Sequence, residues 1–223
     1  MSPVRLNGST SGYSELSAPA VAGNNSLTLP TGNGTARQTL MGDGAGALSF
    51  QWDAGSLFYR LNADLAGANV STVQSVFGVG VTLAASTVYG FDAVYTFTKS
   101  AGATSHTIGL GYGGTASLNN IMWRGEGMAD NNALPFARTN TTSSLFASIS
   151  SSNLVVTDAR ASAASSATFR IFGTVSINAG GTFIPQYTLS AAPGGAYSTV
   201  AGSYIRFVPI GAAGSASSQG TWS

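Results

Sequence analysis

From about residue 50 the chain alternates apolar and polar positions in short runs. In VFGVGVTL, Val79, Val81 and Leu83 alternate with Gly80 and Thr82. In YGFDAVYTFT, the odd positions Tyr89, Phe91, Ala93, Tyr95 and Phe97 share one side, with Asp92, Thr96 and Thr98 opposite. FRIFGTVSI repeats the pattern, setting Phe169, Ile171, Val175 and Ile177 against Arg170, Thr174 and Ser176, and YIRFVPI closes the series with Arg206 its one charge. Successive side chains of a strand point to opposite faces, so this period predicts half-buried antiparallel strands. Helical spacing is scarce: ASLNNIMWRG, with Leu118, Ile121 and Met122, predicts one short helix or turn.

Before residue 50 the pattern breaks up. NG, SG, GN, NG and DG turn dipeptides separate apolar islands of two to four residues. Leu27 and Leu29 alternate with Ser26 and Thr28, which suits a short strand stopped by Pro30. The expectation is therefore an all-β protein: an extended N-terminal stem over residues 1–50, a jelly-roll-like antiparallel β-sandwich over 51–211, and a flexible tail over 212–223 in which Trp222 is the one anchor.

Composition sharpens the picture. Only 8% of the 223 residues are charged, giving a net +1, while 43% are hydrophobic and 29 are glycine. Average proteins carry roughly 25% charged residues, and a net charge near zero favours association. The surface must therefore be hydroxyl, amide and glycine, partly covered by other copies, because obligate interfaces are apolar and poor in charge. A single lysine, Lys99, argues against nucleic acid, whose phosphates require clustered cations. No apolar run reaches the length of a membrane span. MSPVRLNGSTSG lacks the apolar core of a secretory signal, and cysteine is absent. A protein assembled in the cytoplasm and released by lysis fits these features together.

Chemistry-bearing residues are sparse. GLGYGG at 109–114 has the glycine spacing of a dinucleotide loop, but TASLNN follows where a helix should begin. Its glycines read instead as one face of a strand, open to close approach by another backbone. His106, the one histidine, has no nucleophile elbow to serve and reads as a strand residue facing solvent or an interface. Glu126 and Asp130, in RGEGMADNNALP, are the one nearby carboxylate pair, and Asp130, Asn131 and Asn132 offer oxygens to calcium without EF-hand spacing. A polar loop satisfying its own backbone accounts for them, and no catalytic residue, cofactor or metal is assigned. The sequons at Asn7, Asn24, Asn33, Asn69 and Asn140 follow from Asn/Ser/Thr richness. Trp123, Tyr112, Tyr197 and Tyr204 are the candidate ligand or interface contacts, since aromatics combine large area with a polar handle.

The segment GSTSGYSELSAPAVAGNNSLTLPTGNGTARQTLMGDGAGALSFQW resembles a stretch common in tailed-phage structural proteins, notably tail fibres and appendages of marine and cyanobacterial phages. GTFIPQYTLSAAPGGAYSTVAGSYIRFVPIG is similar, more loosely, to the end of β-sandwich domains in such proteins. The resemblance implies a homotrimer in the virion, partnered by itself, by other virion proteins and by host surface glycan, with no enzymatic activity. A fibre or spike and a capsid decoration protein both fit, as does a stand-alone carbohydrate-binding domain. A polysaccharide depolymerase is the remaining alternative.

Overall fold

The computed structural model describes residues 4–7, 10–11, 13–16, 26–32, 38–42, 45–52, 55–131 and 142–214. The chain divides into two units, Met1–Ala54 and Gly55–Ser223. Two pairs of strands are described in the first. β1 (Val4–Asn7) pairs antiparallel with β2 (Tyr13–Leu16), and β3 (Gln38–Gly42) with β4 (Leu48–Trp52). The strand expected around Leu27 reduces to one bridge residue: Thr28 pairs parallel with Ala47, giving its N–H to the Gly46 carbonyl and accepting from Leu48. Leu27 and Leu29 flank it and are each 71% exposed.

The second unit contributes β5 (Leu57–Arg60), β6 (Leu65–Ala66), β7 (Gln74–Ser75), β8 (Val81–Leu83), β9 (Thr87–Lys99), β10 (Ile108–Gly113), β11 (Ser117–Asp130), β12 (Thr142–Ser148), β13 (Leu154–Val155), β14 (Ser165–Ala179), β15 (Gly181–Leu189), β16 (Ser198–Thr199) and β17 (Tyr204–Ala212). They form two antiparallel sheets. The larger runs β12-β11-β14-β9, and the far edge of β9 is shared by β17, which carries β5, and β16, which carries β6. In the smaller, β10 lies between β13 and β15, whose other edge takes β7 and β8. The expected all-β, sandwich-like class is the one observed, and no helix occurs among the described residues.

Period two holds where it was legible. Tyr89, Phe91, Ala93, Tyr95 and Phe97 are all buried, as are Phe169, Ile171, Val175 and Ile177. Between the sheets, the Phe91 ring meets Tyr112 at 5.5 Å and Phe97 meets Tyr187 at 4.9 Å, while within the smaller sheet Tyr112 stacks on Phe183 at 4.9 Å. Such offset and edge-on aromatic pairs add about 0.5–1.5 kcal/mol each beyond burial.

Two expectations need correction. ASLNNIMWRG is not a helix: residues from Ser117 onward form β11, paired on both edges with β12 and β14. The helical spacing of Leu118, Ile121 and Met122 is incidental, because Ile121, Trp123, Gly125, Gly127 and Ala129 alternate as the buried side. Val79 lies ahead of β8 and is exposed, so that alternation begins only at Val81. Trp222, like residues 215–223 generally, lies outside the described residues.

Candidate interaction face

The larger sheet has one side in the core and one facing out. Directly paired residues share a side, so the register lays out the outer side in rows. One row runs Leu145, Glu126, Arg170, Val94, Tyr204, Arg60. Its neighbour runs Ala147, Arg124, Phe172, Asp92, Arg206, Phe58. Met122 and Met128 extend β11 on either side of these rows, while Val208 and Ile210 extend β17.

The inner side of β11 explains how these residues are held. Gly127 leaves room for the Phe169 ring, which a Cβ there would approach to 2.6 Å, and Trp123 fills the core with its indole N–H donating to the Ser150 carbonyl at 2.8 Å. Each inward residue that fits fixes its outward neighbours Arg124, Glu126 and Met128.

Charges on the outer side are coupled across strands. Arg206 reaches Asp92 at 2.8 Å, and Arg170 lies 3.8 Å from Glu126. The Arg124 guanidinium stacks over the Phe172 ring at 4.6 Å, and the Phe58 and Tyr204 rings meet at 5.8 Å. Exposed ion pairs contribute only about 0–1 kcal/mol each, so stability does not explain their concentration here. Arginine, methionine and aromatics are the types enriched in protein interfaces.

Of the four aromatics named as candidate ligand or interface contacts, only Tyr204 reaches this side. Trp123, Tyr112 and Tyr197 are core residues of the protomer, exposed by 1%, 6% and 1%. Burial pushes the Tyr112 hydroxyl pKa well up and, by enclosing the group, keeps it from any outside ligand. Arg124, Phe172 and the two methionines were missed, although IMWRGEGMA alternates without a fault from Ile121 to Ala129.

His106 faces neither solvent nor a free edge. It is 1% exposed and exchanges both backbone hydrogen bonds with Arg160. The Thr104 carbonyl, 2.7 Å from Nδ1, can only accept, so Nδ1 carries the proton, and Nε2 lies 2.9 Å from the Tyr197 hydroxyl. Burial foremost, then the charges of Lys99 and Arg160, outweigh the Thr104 hydrogen bond and hold the imidazole pKa below 6.5. Lys99 is buried too, its ammonium donating to the carbonyls of Gly102 at 2.5 Å, Ala101 and Ala163 at 3.3 Å, and Ser162.

RGEGMADNNALP is not a loop throughout, since residues 124–130 belong to β11. Glu126 is exposed, whereas Asp130 is fully buried at the strand end. Four residues of extended chain separate them by about 13 Å, beyond the spacing a carboxylate pair uses on one glycosidic bond. Asn131 Oδ1 accepts from Arg160 Nη2 at 3.3 Å, and Asn132 lies outside the described residues. Among the described residues no three His, Asp or Glu side chains come together.

GLGYGG lies on β10, where every residue from Ile108 to Tyr112 is buried. The glycine side is covered by another backbone: Tyr112 N–H donates to the Ser151 carbonyl at 2.8 Å, and a Cβ on Gly111 would lie 3.0 Å from that oxygen. Between β5 and β8, a cavity of about 290 Å³ is lined by Leu57, Phe77, Val81, Ile205 and Phe207 among others.

No family model matches the chain, and no curated protein matches it. Among solved structures, that of infectious bursal disease virus, Gx strain, aligns at 9% identity over 94% of this chain, with a TM-score of 0.16. The chain spans about half, 51%, of the chain it aligns with, and a likeness this low carries no argument.

Proposed function

We propose that this protein is a non-enzymatic structural component of a bacteriophage virion, a trimeric β-rich fibre or spike that contacts the host surface. The observation that carries this reading is where apolar side chains remain uncovered in a single copy. Leu27, Leu29 and Leu40 of the first unit are exposed, and so is a cluster on the outer side of the larger sheet, in a chain with only 8% charged residues. Short hairpins with few side chains to bury are marginal by themselves, and neighbouring copies or virion proteins supply the missing cover. The similarity of residues 7–52 to phage appendage segments sets the biological context.

A capsid decoration protein is the second reading, because the same uncovered surfaces suit a trimer locked onto shell subunits. Antibody raised against the chain tests both on purified particles. Gold label on tail or baseplate is the expected result, label over the head selects the decoration reading, and particles free of the chain by mass spectrometry overturn both.

A further inference from the structure

Seven of the twelve large hydrophobic residues exposed among the described residues of the second unit lie on one surface, the outer side of the larger sheet: Phe58, Met122, Met128, Leu145, Phe172, Val208 and Ile210. Four arginines share it, Arg60, Arg124, Arg170 and Arg206, against two acids, Asp92 and Glu126, so the face carries +2. Elsewhere among the described residues of that unit, the exposed charges are Asp64 and Asp158, and with the buried Asp130, Lys99 and Arg160 beside them three acids face two cations, a sum of −1. The unit is thus polarised. Both aspartates lie toward the end where β9 finishes at Lys99 and β11 at Asp130. Asp64 lines a cleft with Thr98, Ser198 and the buried Lys99, whose ammonium is spent on backbone carbonyls, and Asp158 lines a hollow with Ala129 and Thr142.

We propose that the arginine-and-apolar face of one copy docks head-to-tail on the Asp64/Asp158 end of a second copy, making the repeating contact of a closed ring. Two such faces placed against each other would oppose +2 with +2, and like charges facing across an interface are disfavoured. A heterologous contact removes that conflict, and rotation about an axis closes it. The apolar residues supply the buried centre, and Arg124, already stacked on Phe172, is the geometry of an interface anchor. This inference rests on the self-association assumed above but assigns its surface and its polarity.

Charge reversal tests it, with circular dichroism confirming that each variant folds. Arg124→Glu/Arg170→Glu and, separately, Asp64→Lys/Asp158→Lys are expected to reduce the assembly to a 22.4 kDa species at micromolar concentration. The chain carrying all four substitutions is expected to reassemble, since the signs are exchanged on both sides. A wild-type oligomer that survives the arginine reversals overturns the proposal while leaving self-association intact. Loss of assembly from the arginine reversals alone, without effect of the aspartate reversals, overturns the head-to-tail polarity. A wild type that is monomeric throughout overturns both readings, as does a monomer that uses this face to hold an acidic polysaccharide such as polygalacturonate.

Discussion

His106 sits where a proton is unwelcome. Its Nδ1 is spent on Thr104, its Nε2 meets the Tyr197 hydroxyl, and Lys99 and Arg160 stand close enough to oppose a third positive charge. The neutral ring accepts the single hydroxyl proton of Tyr197 at Nε2, and Ser165 Oγ lies 3.2 Å from that same hydroxyl oxygen, so the imidazole tightens the contact between the strand pairs at this end of the sandwich. The folded pKa lies below 6.5, so as pH falls the unfolded chain takes up the proton first. Stability from this residue is therefore complete above pH 6.5, falls as pH drops below it, and levels off beneath the folded pKa. The slope is at most about 1.4 kcal/mol per pH unit for one proton. Urea unfolding at pH 7.5 and pH 5 should show the loss in the wild type, and His106→Gln should flatten it. An unchanged slope in that variant would assign the acid sensitivity to other groups.

At the scale of elements, alternation was legible wherever apolar residues are bulky. Phe91, Tyr95 and Phe97 on β9, and Phe169 and Ile171 on β14, announce their side in the sequence because aromatic and branched side chains are rarely left in water at period two. β11 escaped notice because its inner side is built partly from glycine. Gly125 and Gly127 carry no hydrophobic signal, although they are buried to admit the rings of Phe146 and Phe169. Without that register, Arg124, Glu126 and Met128 could not be assigned to a common side, and the outer face stayed hidden. The same gap left Trp123 unassigned between core and interface, since an aromatic residue looks alike in a core and at a binding surface until its strand is known. GLGYGG was read correctly as a strand permitting close approach, and the carbonyl of Ser151 makes the approach. Gly111→Val should therefore crowd the Ser151 carbonyl, 3.0 Å from where the Cβ would stand, and force the 149–153 bend outward. Overpacking of this kind costs about 1–3 kcal/mol, a fall of roughly 2–12 °C in Tm for a domain of this size. Gly32→Ala, with nothing within 4 Å of its Cβ, is the matched control and should melt within a degree or two of the wild type. Equal melting of the two variants would contradict the close packing of β10.

For the whole molecule the governing fact is the scarcity and placement of charge. With 8% charged residues and a net +1, the chain has little of the hydrophilic cover that keeps small domains apart. What charge the described part of the second unit exposes is divided between a cationic, apolar sheet face and an anionic end. A specific interface of ordinary size removes about 800 Å² per partner, and seven clustered apolar side chains with four arginines are material for one. The measurement that bears most directly on self-association is the solution mass of the full chain by multi-angle light scattering, across micromolar concentrations. A mass three times that of the 22.4 kDa chain, stable on dilution, is the predicted result. A constant mass of one chain at every concentration would contradict it.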